Sequence, residues 1–529
     1  MRRAWDAVVI GSGFGGVMAA TALVEAGMSV LMLERGDWVR RGAENWAAEG
    51  AGLLTSHYSS ESPYVERTAG ADRRTGMFFN VGGPSVFYGG ASLRYREHDF
   101  TPAPEIVGDS GAAWPLRYRD LEPWYAAAER RLGVAGEAGA DPTEPPRSTP
   151  FPTGPLGVTT QFGERLAGAA RELGLRPFPL PLAINRDHRS GRPACIACST
   201  CDGFACAIGA KNDLSMTLLP RLLDRGLSLW TSAVVRRIIE VRGRAVGVEC
   251  VDRISGRPYR VRADRVIVAA GAIVTPQLLL ASGLARLNRA GDIVGRFLTR
   301  HLNTVVVGVF PAPTNPRQEF QKQIALHDYY AAGPSGGCGL GAIQQVGMPP
   351  AGVVATQVPA LLGPIARILL PHLGGLLTIV EDQPQYRNRI ELRPEQSAPF
   401  GLPPVVIYHR YSVADLQRGR ALAGRARVVL AQAGARLFYH HRISTFSHAL
   451  GTVRMGDDPA QAPLDAAGRF RGVAQLWVAD GSTLPTSAAV NPSLTIAANA
   501  LRIGAGIAGA VAPVAATRKD ASHHVQHSR

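Results

Sequence analysis

Ala7-Val8-Val9-Ile10-Gly11-Ser12-Gly13-Phe14-Gly15-Gly16 is the stretch from which the rest of this 529-residue chain is read. An apolar run stops at Gly11, and Gly11, Gly13 and Gly16 follow in G-x-G-x-x-G spacing. Val17 to Ala26 then reads as a helix of small apolar residues, and a second apolar run, Ser29 to Leu33, ends at Glu34. Strand, tight turn, helix, strand and acid in this order are the signature of a dinucleotide-binding βαβ unit. Gly11 permits the turn, Gly13 lets backbone approach a pyrophosphate, and Gly16 lets helix pack on sheet. The helix N-terminus offers free N–H groups and a positive dipole to phosphates, and Glu34 can accept hydrogen bonds from a ribose. Three glycines alone also fit an ordinary turn; the flanking strands and the acid select the nucleotide reading.

The length implies a large core and more than one domain. A hydrophobic fraction of 46% with 19% charged residues suits a globular enzyme and excludes a disordered chain. The formal net charge of +15 points toward anionic partners. Lysine, however, occurs only at Lys211, Lys322 and Lys519, and the arginines are spread along the chain without a dense basic block. A nucleic-acid partner is therefore not expected. The first strand begins close to Met1, leaving no room before it for a leader, so a cytoplasmic location is expected. The greasiest stretch, Pro359 to Val380, is interrupted by Pro364, Arg367, Pro371 and His372. It reads as a buried or lid-like helix pair, with peripheral membrane contact as the lesser alternative.

Beyond Glu34 the chain is polar and irregular to about residue 76. Phe79 to Ser92 then carries two Gly-Gly pairs, Gly82-Gly83 and Gly89-Gly90, around Ser85. Such a segment suits close backbone approach to a flat ligand. A helix is expected over 114–134, a linker over 136–160 and a helix over 161–173. Leu227 to Trp230, Ala233 to Val241, Ala245 to Asp252 and Tyr259 to Arg262 alternate like an antiparallel meander. Arg265 to Ala269 is a buried strand whose end at Ala270-Gly271 is a second place for a phosphate, with a helix from Gln277 to Ser282. The segment 300–440 reads as a separate sheet-containing domain covering a pocket.

Four of the six cysteines, Cys195, Cys198, Cys201 and Cys206, lie within twelve residues. An iron–sulfur cluster, a zinc ion, and structural or disulfide cysteines are the readings of this spacing; the structural one leads, because no proline follows the last cysteine and the final gap is unusual. Near the C-terminus, Asn491-Pro492 reads as a helix start with a side-chain cap. His448 is the candidate base, because a neutral imidazole takes a hydroxyl proton near neutral pH; a structural histidine is the alternative.

The opening GSGFGG with Glu34, the GG-P-S-x-x-x-GG loop, VIVAAGAIVTPQLLLASG, HALGTVRMG and LWVADGSTLPTSAAVNPSLTIAANALR together resemble the glucose–methanol–choline (GMC) family of FAD oxidoreductases, over the whole chain. The resemblance implies an α/β fold: a discontinuous Rossmann-like FAD-binding domain (1–100, 195–300 and 441–515), an inserted α+β substrate domain (101–194 and 301–440) and a tail from 516 to 529. It implies His448 and Asn491 as the catalytic pair. The cofactor would lie against Gly11, Ser12, Gly13, Phe14, Gly15, Gly16, Glu34 and Arg35. It would also lie against Gly82, Gly83, Ser85, Tyr88, Gly89, Gly90 and Ala91. Val235 would meet the adenine, with Ala270, Gly271, Asp480, Gly481, Asn491, Pro492 and Thr495 completing the contact.

One departure is Tyr88, where many relatives carry asparagine. No histidine for covalent flavin attachment occurs between Gly82 and Ser92, so noncovalent FAD is implied. Narrower similarity, in Phe87 to Ser92, Arg94-Tyr95-Arg96 and Arg176 to Asp187, is to flavin dehydrogenases that oxidise sugar hydroxymethyl groups in aminoglycoside assembly. Some sugar dehydrogenases of the wider family carry an iron–sulfur cluster in a segment comparable to the cysteine run. The expected activity is oxidation of a small-molecule alcohol, sugar-like in the narrower comparison, with an electron acceptor that is oxygen, a quinone or a redox protein. A lyase using the same histidine without net redox is the alternative.

Overall fold

The computed structural model describes residues 4–42, 64–68, 71–75, 79–331, 339–348, 364, 368–396, 399–444 and 448–510. Its centre is a five-stranded parallel sheet. The strands are β1 (Ala7–Ile10), β2 (Val30–Leu33), β8 (Ser228–Trp230), β12 (Val266–Val268) and β20 (Leu476–Val478), in the order β20-β12-β1-β2-β8. Helix α1 (Phe14–Glu25) connects β1 to β2 and is apolar on nearly every face. That composition follows from its position between the sheet and α8 (Ser493–Ala508). The approach of the two helices is close: a Cβ on Gly504 would stand 2.6 Å from the carbonyl oxygen of Ala19. The expected mixed α/β fold with a Rossmann-like parallel sheet is the observed one.

The meander is shorter than the alternation suggests. Strands β9 (Ala233–Val241), β10 (Arg244–Asp252) and β11 (Pro258–Arg262) form a three-stranded antiparallel sheet. The first of the four runs, β8, leaves it and pairs in parallel with β2. The expected helix at Gln277 begins earlier: α6 spans Gly271–Ala281 with Pro276 inside it. Proline removes the N–H that would bond the carbonyl four residues back. That carbonyl, of Ala272, instead accepts from the Thr452 hydroxyl at 2.7 Å.

A six-stranded antiparallel sheet covers one side of the core. It runs β19 (Leu437–Arg442), β13 (Leu302–Val309), β16 (Leu373–Val380), β15 (Ala342–Val346), β14 (Ile324–Leu326) and β6 (Phe178–Pro179). Here the helix-pair reading of Pro359 to Val380 is corrected over its last eight residues, which are the buried strand β16, entered from a short 3-10 turn at Leu370–His372, while 359–363 and 365–367 lie outside the described residues. A continuous apolar run suits a strand covered on both faces as well as a buried helix, and periodicity does not separate them. Helix α7 (Val413–Gln432) packs on this sheet. Its start is a capping box, with Asp415 N donating to Ser412 Oγ at 3.0 Å and Ser412 N to Asp415 Oδ2 at 2.8 Å.

The segment expected to be irregular up to residue 76 contains a hairpin, β3 (Tyr64–Thr68) and β4 (Ala71–Thr75). It extends a second sheet through β18 (Val405–Tyr408) and β17 (Arg389–Leu392). Residues 43–63 and the tail from 511 lie outside the described residues. The remaining elements are a small pair, β5 (Val134–Ala135) with β7 (Leu182–Ala183), and helices α2 (Pro104–Val107), α3 (Tyr118–Leu132), α4 (Gln161–Glu172) and α5 (Leu218–Asp224). Among the described residues no helix is long and apolar enough to cross a membrane.

Candidate active site

The glycines of the first turn have separable reasons. Gly11 has φ +100°, and a Cβ there would stand 2.5 Å from Ala269 O at the end of β12. A Cβ on Gly16 would stand 1.9 Å from Gly11 O, inside the turn itself. Gly16 makes the expected close helix–sheet approach, since its Cβ would also stand 3.4 Å from Val9 Cγ1 of β1, and Gly15 adds a second one, where a Cβ would stand 1.9 Å from Ala479 O just beyond β20. Gly13, the N-cap of α1, makes no side-chain cap, so the first N–H groups of the helix gain no side-chain acceptor there. The loop of Gly82 and Gly83 closes on this point, with a Cβ on Gly83 only 2.9 Å from Gly13 Cα.

Ser12 ties the loop to the second strand. Its Oγ accepts from Gly82 N at 3.0 Å and donates to Glu34 Oε2 at 2.6 Å. Glu34 also accepts from Ser12 N at 3.1 Å and from Gly36 N at 2.8 Å. Burial raises its pKa against these hydrogen bonds. Arg35 lies with its guanidinium 4.1 Å from the centre of the Phe79 ring. Val235 is brought to the same end of the sheet, because Ala233 N donates to Glu34 O at 2.8 Å at the start of β9. Ser85 Oγ donates to Gly82 O at 2.6 Å and accepts from Leu214 N at 3.1 Å, bracing the loop.

Asp480 joins the C-terminal motif to α6. Its Oδ2 accepts from Gly271 N at 2.9 Å and Thr275 Oγ1 at 2.5 Å, and its Oδ1 accepts from Ser482 N at 2.8 Å. Burial raises this carboxyl too. Gly271, with φ +84°, follows Ala270, and a Cβ on Gly271 would meet nothing within 4 Å. Gly481 lies against the histidine loop, where its N–H neighbour is close: Gly451 N donates to Gly481 O at 3.2 Å.

His448 directly follows 445–447, three residues that lie outside the described ones. Thr299 and Leu450 exchange a pair of backbone hydrogen bonds, at 3.1 and 2.9 Å, which sets His301 opposite His448 across an antiparallel bridge. Their Nδ1 atoms are 2.8 Å apart, and His301 Nε2 lies 3.1 Å from Ser487 O. Tyr95 OH donates to the same carbonyl at 2.6 Å. Burial lowers the His301 pKa to about 4. His448 is held well below the ordinary histidine range by burial, His301 and the Lys322 ammonium, in that order. Both imidazoles are therefore neutral at pH 7.

The expected cap role of Asn491 is corrected. Pro492 is the N-cap of α8, with no side-chain hydrogen bond at the helix end. Asn491 Oδ1 instead accepts from Gln344 Nε2 of β15 at 2.8 Å. A buried amide partner in the sheet outcompetes the local N–H groups, and so turns the Asn491 amine away from Gln344. Thr495 is drawn into the scaffold, its Oγ1 2.8 Å from Tyr125 OH of α3. Ala91 O accepts from Ser493 Oγ at 3.2 Å, linking the glycine loop to the start of α8.

Tyr88, the departure noted in the glycine loop, stacks edge-on to Phe14 at 5.2 Å and donates from its hydroxyl to Asn212 O at 3.1 Å. At Gly89 a Cβ would meet Asp202 Oδ1 and Lys322 Nζ, each at 2.6 Å. These two form an ion pair of 2.8 Å between the cysteine loop and the covering sheet's approach to β14. Gly90 O accepts from Ala183 N at 2.7 Å. His301, Gln344 and Lys322 were not among the residues expected at this site. Each lies in a segment without a motif, and only the covering sheet brings them in.

The metal readings of the cysteine run are not supported. Cys195, Cys198, Cys201 and Cys206 line one cavity with Ile184, Ile196 and Phe320. They are free thiols, and among the described residues no group of three or more His, Cys, Asp or Glu side chains is arranged to hold a metal ion. Burial pushes the Cys201 thiol up to about 12 and raises Cys195. The nearby Lys211 spends its ammonium on the carbonyls of Tyr88, Cys201 and Phe204, at 2.8, 3.0 and 2.7 Å.

A parallel sheet with an uncapped first helix, joined at its C-terminal edge to a hydrogen-bonded histidine pair, is the architecture of a nucleotide-dependent oxidoreductase. The chain belongs to the GMC oxidoreductase family: the family's N-terminal profile matches residues 15–303 and its C-terminal profile residues 384–500. It is 34% identical to 6'''-hydroxyparomomycin C oxidase of Streptomyces lividus, over 96% of this chain and 92% of that protein. It is also 34% identical to paromamine 6'-oxidase of Streptomyces fradiae, over the same shares. Among solved structures, pyridoxine 4-oxidase from Mesorbium loti has the same fold, with a TM-score of 0.63 at 20% identity, covering 96% of this chain and 98% of that one.

Proposed function

We propose that this protein is an FAD-dependent oxidoreductase that converts a CH–OH group of a small molecule to the carbonyl, with a hydroxymethyl group of an amino sugar as the first substrate class to try. The cofactor fit rests on the cradle at α1. Its N-terminus lacks a side-chain cap, and Gly13 and Gly83 approach too closely for a side chain on Gly83. Such a site suits a pyrophosphate. Gly11 to Gly16, Gly82 and Gly83 would hold that group, with Glu34, Arg35 and Val235 at the adenosine end. Tyr88 to Ala91, Gly271, Asp480, Gly481 and Pro492 would hold the rest. When bound, FAD supplies a two-electron acceptor for hydride.

The chain's own part is to bind the alcohol, take its proton and keep it oriented. His448 accepts the hydroxyl proton while the carbon–hydrogen bond releases hydride, so the oxygen–carbon bond becomes a carbonyl and both electrons leave with the hydrogen. Asn491 holds the same oxygen through its amine without competing for the proton. The single observation carrying this reading is geometric: His448 Nδ1 lies 2.8 Å from His301 Nδ1, and His301 Nε2 3.1 Å from Ser487 O, which holds His448 against the segment that leads to Asn491. The relatives' names support the substrate class, since they are oxidases of paromamine-type compounds.

The test is anaerobic mixing of the FAD-bound protein with a panel of alcohols that includes paromamine, followed by admission of air or a quinone. Bleaching of flavin absorbance by one alcohol, lost in His448→Ala with FAD content unchanged, is the expected result. Full bleaching in that variant would overturn the assignment. Turnover of a hydroxyl or carbonyl substrate without any absorbance change would favour a lyase.

A further inference from the structure

We infer that His301 is the positioning residue that sets the tautomer of His448, leaving His448 Nε2 as the atom that receives the substrate proton. The inference rests on the reading of His448 as the base and names the atom and the partner that reading lacks.

The argument is one of donors and acceptors. A carbonyl oxygen only accepts, so His301 Nε2, 3.1 Å from Ser487 O, carries a hydrogen. A neutral imidazole has one N–H, so His301 Nδ1 is a lone pair. The atom 2.8 Å from it, His448 Nδ1, must then be the donor. The lone pair of neutral His448 is consequently on Nε2. The geometry of the bridge keeps this chain in place: Thr299 and Leu450 are paired through their backbones, and the His301 carbonyl accepts from Tyr411 OH at 3.0 Å.

Proton transfer is compatible with this arrangement throughout. Once His448 Nε2 has gained the substrate proton, its Nδ1–H still donates to a neutral acceptor. His301, with its pKa near 4, does not take that proton and become the charged member. The charged groups facing the pair are few: Lys322 acts on His448, and its ammonium is matched by Asp202 at 2.8 Å. Tyr95 shares the Ser487 carbonyl with His301. Without an acceptor at His301, the His448 ring is free to exchange tautomers and to flip, and the fraction with Nε2 available falls.

Two variants separate positioning from packing. His301→Leu keeps bulk and removes the acceptor. His301→Gln offers an amide oxygen to His448 Nδ1–H and an amine to Ser487 O. The first readout is ¹⁵N spectroscopy of histidine-labelled, FAD-bound protein, with the His448 signals assigned by their loss in His448→Ala. Wild type and His301→Gln are expected to carry the hydrogen on Nδ1, and His301→Leu to lose that preference.

The second readout is kinetic: His301→Leu should lower kcat about 100-fold with KM changed less than about threefold, and His301→Gln should recover most of the loss. A His448 signal that stays on Nδ1 in His301→Leu overturns the proposal. So does an equal loss of kcat in both variants with the tautomer intact. The spectrum needs no turnover, so its outcome stands apart from that of the alcohol screen and of His448→Ala.

Discussion

Gln344 Nε2 donates to Asn491 Oδ1 at 2.8 Å, across the boundary between the covering sheet and the start of the C-terminal helix. The contact decides which end of the Asn491 amide is left for a ligand: the amine, a donor, and not the carbonyl. Replacing Gln344 by Leu removes this choice while keeping the strand. We expect kcat/KM for the bleaching alcohol to fall about tenfold, the worth of one hydrogen bond. Stopped-flow flavin reduction checks this, with FAD content unchanged.

Asp480 holds three donors from two elements, Gly271 N and Thr275 Oγ1 of α6 and Ser482 N of its own turn. Asp480→Ala leaves these buried donors without their acceptor, at a cost of about 3 kcal/mol. The expected outcome is a lower temperature of flavin release and reduced FAD content after purification. Both are read by flavin fluorescence during a thermal ramp.

Two glycines of α7 give opposite results with the same substitution. A Cβ on Gly424 would meet nothing within 4 Å, so Gly424→Ala should gain about 0.5–1 kcal/mol from reduced freedom of the unfolded chain. A Cβ on Gly419 would stand 2.4 Å from Leu302 Cδ2, so Gly419→Ala makes the buried Leu302 side chain repack between α7 and β13 and should cost about 1–3 kcal/mol. Paired urea melts measure both.

Glu381 supplies a pH dependence with a definite sign. Burial, with the Asp99 carboxylate nearby, raises its pKa to about 8, against the pull of Arg418, while Ala488 N donates to its Oε1 at 2.7 Å. Its folded pKa exceeds its unfolded one. Its contribution to stability is therefore fully present below about pH 4.5 and is lost as pH rises through about 8. Glu381→Gln keeps the acceptor and cannot ionise. The variant should be more stable than wild type by about 1–3 kcal/mol at pH 9 and by no more than a few tenths at pH 5. Denaturant midpoints at the two pH values measure the difference.

The elements legible in the chain are those whose signal is local. β1, α1 and β2 follow from an apolar run, a glycine turn and a helix of small residues, all within 34 positions. The Asp480 turn and the α8 start are legible for the same reason. Other elements depend on partners far away. β8 has only three residues, and what makes it a strand of the parallel sheet is β2, nearly two hundred residues earlier. β16 has the composition of a buried helix, and only its neighbours β13 and β15 make it extended. The early start of α6 depends on Thr452 filling the carbonyl that Pro276 leaves open.

The amino-acid order by itself determined the class of fold and the glycine turn built for a phosphate, while His448 and Asn491 came forward as a pair only through the family resemblance. It did so because backbone conformation, periodicity and turn chemistry are properties of neighbours in the chain. Only the tertiary structure decided that His301 faces His448, that Gln344 turns the Asn491 amide, and that four closely spaced cysteines line one cavity as half-buried free thiols. Those outcomes depend on which hydrogen-bond partner or dielectric each side chain meets after folding, and the partners lie up to about 150 residues apart.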